Sequence, residues 1–455
     1  MIRTARDHDA SRHAVGARGP AAPAQAARLL PALALALVGA LALWGLPLAA
    51  HADPEDGSGS RPYQAAGPEV TGAGSQAQAP LLLPGIHQDV FERGGSSSDE
   101  SSGTSKYYRI AVESGQRVHA AATIAAPPYA DGIPEQPDPL GVGITFVTAG
   151  GDGCEDDGTD DVGQWMTGDG PVTSSAVSGV MGWDGCAGSE LFLQITREGT
   201  RWGDEPLPVE IQVAIEPAGV GGGAPAVTEE IEDEGAAPVA PSEDSPLDAG
   251  TSYATAPEVD PGSYVLELRP GDSALLRIPV QEGQRLRWRV EETAQPEDAG
   301  ELDLHVSNAA REQVTVHGGS WRMSRDDRVA GGGMTTPVDR GNRSSDIPSV
   351  ATAWLPGMHT VHLQRLQRPA GAEPTGDEPV TVVLTLEVEG EPAGDAPDGT
   401  VLELGTTTVE HGPLAALGIE ASWARLATSA GAGALALLGL VTGVAGVLVL
   451  RLRRR

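Results

Sequence analysis

Six acidic residues, Asp152, Glu155, Asp156, Asp157, Asp160 and Asp161, crowd a glycine-rich stretch around Cys154. Closely spaced carboxylates are the hard oxygen ligands that Ca²⁺ takes. The run lacks the D-x-D-x-D-G register and the distal Glu of a calcium loop, so a solvated acidic loop is the preferred reading. No cofactor is expected, with calcium at these six positions as the alternative. His359 and His362 also invite a metal. Three residues apart on a strand, they point to opposite faces and cannot share an ion without a bulge. They are expected as isolated surface or turn histidines. There is no G-x-S-x-G, H-E-x-x-H, Walker or dinucleotide glycine pattern, and nothing in the sequence supports a dispersed triad. The chain is therefore read as a non-enzyme. Asp56-Gly57-Ser58-Gly59-Ser60 has the letters of a D-x-S-x-S metal site but lacks the apolar strand that must precede the Asp.

Cys154 and Cys186 are the only cysteines. In an exported chain an isolated pair is most simply a disulfide, worth roughly 3–4 kcal/mol for a loop of this length. Free thiols or an intermolecular bridge are the alternatives. Export itself is read from the ends. Residues 1–52 carry Arg3, Arg6, Arg12, Arg18 and Arg28, then an apolar run from Leu29 to Ala50, then Ala50-His51-Ala52 before Asp53. That is the pattern of a signal peptide cut between Ala52 and Asp53, an uncleaved anchor being the alternative. Leu426–Leu450 holds no charge and is followed by Arg451, Arg453, Arg454 and Arg455. Its length suits one transmembrane helix, and the arginines place residues 451–455 in the cytoplasm. The expectation is a single-pass type I plasma-membrane protein with its ectodomain outside the cell. Gly439, Gly443 and Gly446 in that helix are spaced for close pairing, so a helix-mediated dimer is a further expectation.

The chain's net charge is −33, and between Asp53 and Ala424 it carries 20 basic against 61 acidic residues. Such a surface repels nucleic acid and anionic lipid, which excludes nucleic acid as a partner.

The ectodomain repeats. Ala79-Pro80-Leu81-Leu82-Leu83-Pro84-Gly85 returns as Ala256-Pro257-Glu258-Val259-Asp260-Pro261-Gly262, and Tyr108–Val118 returns as Leu276–Leu286. Leu193-Gln194 matches Leu363-Gln364, and Gly203–Pro206 matches Gly376–Pro379, all in order. Two copies this long are domains rather than solenoid units. Within each copy the apolar residues alternate. Tyr108, Ile110 and Val112, or Leu276, Ile278 and Val280, precede a Gly turn, after which Leu286, Trp288 and Val290 alternate with Arg285, Arg287 and Arg289. The spacing predicts a hairpin with one buried face, and Pro279 suits an edge strand. Val142, Ile144 and Phe146 parallel Leu302, Leu304 and Val306, and each copy closes on a long strand beginning at Val209 or Val380. The fold class expected is all-β: two tandem antiparallel β-sandwich (jelly-roll-like) domains plus the C-terminal transmembrane helix.

The boundaries follow composition: 53–71 a disordered lead-in, 72–216 the first sandwich, 217–249 an acidic Pro/Gly/Ala-rich linker kept extended by its charge, 250–390 the second sandwich, and 391–425 a stalk. The pattern A-P-x-x-x-P-G, then Y/L-R-I-x-V, then G-Q-R-V/L resembles the pre-peptidase C-terminal (PPC) type of β-sandwich. The version it resembles occurs on actinobacterial cell-surface proteins, also beside von Willebrand factor type A domains. The resemblance implies a binding or accessory unit without its own catalysis; the protease or type A domain that often accompanies such units is missing here. Its partner would be another cell-surface protein or a wall component. A carbohydrate- or wall-binding module is the alternative, with Trp165, Trp183, Trp202 and Trp321 as aromatic platforms against core packing for each. A cryptic hydrolase is the third reading.

Overall fold

The computed structural model describes residues 60–95, 104–154, 169–183, 185–220, 223–229, 235–294, 301–314, 321–323, 330–371, 378–393 and 402. The signal segment, the Ala52/Asp53 junction, the span 426–450 and the tail 451–455 lie outside them. Among the described residues no helix is long and apolar enough to cross a membrane.

Among the described residues seven strands make the first sandwich: β1 (Gly85–Phe91), β2 (Thr104–Ala111), β3 (Arg117–Ile124), β4 (Leu140–Thr148), β5 (Val172–Val177), β6 (Glu190–Gly199) and β7 (Leu207–Glu216). They form two antiparallel sheets, β1–β7–β3–β5 and β2–β6–β4. Inward residues of both sheets, among them Phe91, Tyr108, Ile124, Phe146, Leu193 and Val213, meet in one core. The second sandwich runs through β8 (Gly262–Leu268), β9 (Ser273–Val280), β10 (Arg285–Ala294), β11 (Leu302–Ser307), β12 (Trp321–Met323), β13 (Ala330–Met334), β14 (Gly357–Arg365) and β15 (Val380–Glu389). Its sheets are β8–β15–β10–β13 and β9–β14–β11–β12. Strand for strand this is the first sandwich again, with β12 added at an edge. The main helical elements, Arg340–Ser344 and Pro348–Ala351, lie between β13 and β14.

The expected hairpin is corrected. The two runs flanking each Gly turn are β2 and β3, or β9 and β10, and they belong to opposite sheets. Alternation reports that one face of each strand is buried, but it carries no information about which strand is the hydrogen-bonded neighbour. Instead the turn carries the chain over the end of the core. Both turns use one device: Gln116 N–H donates to the Glu113 carbonyl while its side chain accepts from the Glu113 N–H, and Gln284 does the same with Gln281. Gly115 at φ 87° and Gly283 at φ 86° close the two bends. Beyond the turn the expected faces hold. Leu286, Trp288 and Val290 are fully buried, whereas Arg285 and Arg287 on the other face pair with Glu389 and Glu387 of β15. Pro279 lies in β9, at the edge of its sheet, where a missing N–H is tolerated.

Pairing also fixes the register between the copies. Tyr108 faces Leu193, and Leu276 faces Val361, so Leu193 corresponds to Val361 rather than to Leu363. The short sequence match was two residues out, which preserves the face and hides the slip. In the corrected register Arg197 coincides with Arg365. Each guanidinium is buried and donates to the last carbonyl of the sandwich's first strand (Phe91 or Leu268) and to a carbonyl before its last strand (Glu205 or Glu378). Burial lowers both to about 10, and five fixed donors suit Arg to this carbonyl clamp.

Two boundary expectations change. The lead-in is ordered from Ser60: Gln64 N–H donates to Thr251, Tyr63 is buried, and Val70 N–H bonds to Gln88 of β1. The described parts of 217–249 lie against the second sandwich rather than extended. Ala226 N–H donates to Asn342, Ala236 N–H to the Trp288 carbonyl, and Arg287 to the Gly235 carbonyl. Composition foresaw too little apolar area for a core of their own, but not a neighbouring surface that satisfies their backbone groups. The acidic run 230–234 lies outside the described residues. Of the stalk, Ala393 N–H bonds to Glu282, and Leu402 is buried beside Trp354.

The arch makes a prediction. A Cβ at Gly283 would stand 2.7 Å from the Glu391 carbonyl, whereas one at Gly219 (φ 83°) meets nothing within 4 Å. Gly283→Ala is expected to destabilise by about 2–3 kcal/mol and Gly219→Ala by about 1 kcal/mol, measured by chemical denaturation.

Candidate functional site

Cys154 and Cys186 are bonded, with Cα atoms 5.0 Å apart and both side chains buried. The bridge ties the turn after β4, where Cys154 N–H donates to the Phe146 carbonyl, to the loop before β6. Asp152 is exposed beside it; Glu155, Asp156, Asp157, Asp160 and Asp161 lie outside the described residues. Among the described residues no group of His, Cys, Asp and Glu could hold a metal ion. Trp183, in the disulfide loop, is 68% exposed and so does not pack in the core. Trp202 does lie against the core, half-buried, with its indole N–H donating to the Pro127 carbonyl. Trp321 falls in β12, and Trp165 is outside the described residues.

The two histidines are not on the surface. Both lie in β14 on opposite faces, as their spacing requires, and both faces are covered. His359 points inward with Val361 and Leu363; its Nδ1 meets the Gly357 carbonyl at 3.2 Å and its Nε2 has no hydrogen-bond partner. Leu191 stands at the corresponding place of the first sandwich. Burial lowers His359 to about 4. His362 points outward, where Tyr63 of the N-terminal segment and His305 cover it at ring distances of 6.4 and 6.2 Å. Burial, then repulsion from His305, lowers it to about 3.

Beside the covered outer face of β14 lies a polar interface between the sandwiches, which sequence reasoning did not find. The outer face of β7 and β3 presents Glu210, Gln212, Glu216 and His119, all buried. Glu210 receives Arg311 of the second sandwich at 2.6 Å and the Ala66 N–H at 2.9 Å. Arg311 sits over the Tyr253 ring, in a left-handed backbone conformation of φ 61°. Gln212 donates to the Ala309 carbonyl. Glu216 lies 2.7 Å from His119 Nε2 and 2.9 Å from Arg343, whose guanidinium and His119 both pack on Trp354. Burial alone would raise the Glu216 carboxyl, but the hydrogen bond from His119 and the charge of Arg343 outweigh it and hold it below the usual range. Gln364 and the Gln367 N–H bond to Asp169 at the far end of the contact. His119 meets a carboxylate and His359 a carbonyl, neither a hydroxyl. The cluster holds the two sandwiches together.

The second sandwich thus docks through the outer face of β9–β14–β11, and the first has the corresponding face on β2–β6–β4. Register places Arg109, Phe192 and Val147 in one row, Tyr107, Gln194 and Thr145 in the next, and Ser105, Thr196 and Gly143 in the third. The second sandwich has Arg277, Thr360 and Ser307, then Leu275, His362 and His305, then Ser273, Gln364 and Asp303. Leu275, His362 and Gln364 are buried there; on the first sandwich Phe192 is buried, whereas Tyr107, Gln194, Thr196 and Thr145 are only half-buried. Leu81 and Leu83, 48% and 61% exposed, flank the open face, with Leu81 bridged to Arg109. Glu258 and Asp260 replace them in the second copy, although the residue between is buried in both (Leu82, Val259). The open face with its two leucines is the candidate site.

No family profile and no curated protein sequence matches the chain. Among solved structures, a Parabacteroides distasonis protein described as secreted is 8% identical, with 68% of this chain and 89% of that one aligned at a TM-score of 0.16. The secreted serine protease VesC of Vibrio cholerae is 11% identical at 0.18, aligning 65% of this chain with 52% of its own. The ANXUR2 extracellular domain of Arabidopsis thaliana is 6% identical at 0.16, aligning 66% and 83%. Scores this low assign neither fold nor function.

Acid should loosen the structure. His359 and His362 titrate below their ordinary 6.5 when folded, so between pH 6.5 and 4 the unfolded chain binds more protons. Their contribution is complete above pH 6.5 and falls as pH drops through that window; Glu216, held low, adds a loss at lower pH. His359→Leu, the residue of the other copy, should raise stability at pH 5 by about 1–3 kcal/mol and flatten the stability profile between pH 6.5 and 4. Denaturation series across that range measure both.

Proposed function

We propose that this is an extracytoplasmic binding or accessory protein without its own catalysis, exported by residues 1–52 and held by one helix at 426–450, with two PPC-like sandwiches outside the plasma membrane. The observation that carries the reading is the β2–β6–β4 face, half-exposed among the described residues except at Phe192. The fold uses its counterpart as an interface, and here it adds Leu81 and Leu83 where the docked copy has acids. The buried disulfide suits an oxidising compartment, and the acidic ectodomain suits a soluble body beside an anionic wall. The partner is another cell-surface protein. Thr196→Arg in the middle of the face should leave the melting temperature within about 2 °C, as surface changes do, while crosslinking to the partner in intact cells falls at least tenfold. Unchanged crosslinking would remove the face from consideration.

A carbohydrate or wall ligand is the second reading, favoured by Trp183 alone, whose exposed ring stands on a loop fixed by the disulfide. It requires retention on insoluble cell wall that Trp183→Ala abolishes; retention unaffected by that change refutes a Trp183 platform.

A further inference from the structure

The chain contains 29 arginines and one lysine, and the lysine is buried. Lys106 points inward from β2, with Nζ 2.9 Å from Asp89 Oδ1 of β1, 2.7 Å from the Val90 carbonyl and 3.5 Å from Glu92 Oε1. The Phe91 ring lies 5.2 Å from the amine. On Asp89, Oδ1 also accepts from the Val90 N–H at 2.7 Å, while Oδ2 accepts from the Tyr108 hydroxyl at 2.6 Å and from the Gly72 N–H at 2.8 Å. Burial, and then the Asp89 charge, raise the Tyr108 hydroxyl far above its ordinary range, so it remains a donor.

The second sandwich shows what the fold itself needs here. In register, Asp89, Lys106 and Tyr108 correspond to Leu266, Ala274 and Leu276, all buried. An apolar trio fills the same place, so the sandwich does not need the charges to close. A buried ion pair is weak evidence for stability, because desolvation offsets the attraction. Elsewhere the chain uses arginine for buried cationic roles, at Arg197, Arg311 and Arg365. A primary amine can be acylated by a carboxyl group, whereas a guanidinium is not. Location adds a further argument. β1 and β2 are edge strands of opposite sheets on one side of the first sandwich. On the other side the disulfide holds the turn after β4, again a feature the second copy lacks.

We propose that Lys106 Nζ and Asp89 Cγ are joined by an intramolecular amide bond. The ammonium gives one proton to Asp89 Oδ1, and the freed amine attacks Cγ. Tyr108 and the Gly72 N–H hold the negative charge that develops on Oδ2. Glu92 carries the second amine proton to Oδ1, the Cγ–Oδ1 bond breaks, and Oδ1 leaves as water. Ammonium plus carboxylate become amide plus water, with no oxidant, reductant or cofactor. The one remaining amide N–H has its acceptor in place, the Val90 carbonyl. Tyr108 and Glu92 are positioning and proton-carrying groups; Lys106 and Asp89 are the reactants.

Mass spectrometry of the full chain, denatured and with its disulfide reduced, tests this. The expected chain is about 18 Da, one water, lighter than the residues it contains, and after trypsin the peptide ending at Arg93 stays joined to Gly94–Arg109. Lys106→Arg should restore the sequence mass. So should Asp89→Leu with Lys106→Ala and Tyr108→Leu, which installs the three side chains of the second copy and keeps the fold. Glu92→Gln, at an exposed position, should slow the appearance of the lighter species at least tenfold; an unchanged rate overturns the role given to Glu92. A folded wild-type chain at full sequence mass, with the two peptides separating, overturns the bond.

Discussion

Glu210 and Glu216 are carboxylates on the outside of one sheet with no water to solvate them, and this constraint organises the molecule. A buried charge must be met by a partner and by hydrogen bonds, or it costs several kcal/mol. From the first sandwich, His119 bonds to Glu216, and Arg117 stands opposite it on β3. The remaining donors, Arg311, Arg343 and the Ala66 N–H, come from the second sandwich and the N-terminal segment. Two copies that could each enclose a core are therefore complete only as a pair. The polar residues on the docked faces, which alternation reads as solvent-facing, are satisfied by protein. Burying them fixes one mutual orientation, since the geometry of Arg311 on Glu210 and of Gln364 on Asp169 admits no sliding.

How much of this was legible in the sequence follows from what period-two patterning encodes. It gives the strands, their inward residues and the duplication, because burial on one face leaves a mark at every second residue. It does not encode the pairing partner, which is why Tyr108–Ala111 and Val118–Ile124 read as a hairpin when they lie in opposite sheets. Nor does it separate a face turned to water from a face turned to another polar surface. His362, Gln364 and Glu216 look solvated in the sequence and are buried in the fold. His359 was misread for a different reason: it occupies a position that calls for Leu, and no pattern forecasts a titratable ring in an apolar core. The aligned copies held a usable signal, since Leu191 against His359 becomes visible once the two-residue slip is removed. For the metal candidates the disulfide is visible, and the acidic loop lies beyond the described residues.

Duplication gives this chain an internal comparison. Where both copies agree, at the Gln-capped arches and at Arg197 and Arg365, the feature belongs to the fold. Where they differ, it belongs to one copy's circumstances. The second copy has polar and aromatic groups on its docked face and apolar filling under its first two strands. The first has the disulfide, the Asp89–Lys106–Tyr108 network and two exposed leucines. The copies have kept one scaffold and divided its surfaces between them.

The N-terminal segment also bears on the order in which the molecule can be completed. Arg61 donates its backbone N–H to Asp272, 211 residues further along the chain, and Tyr63 packs on Tyr253 and His362. Synthesis delivers this segment long before its partners. It stays unsatisfied while the first sandwich and the partner residues from Thr251 onward are made, and it docks only after them. Pairs of such separation are slow to close because the loop entropy is spent before any contact is gained. Until it settles, the rings of His362 and Tyr253 stay open to water.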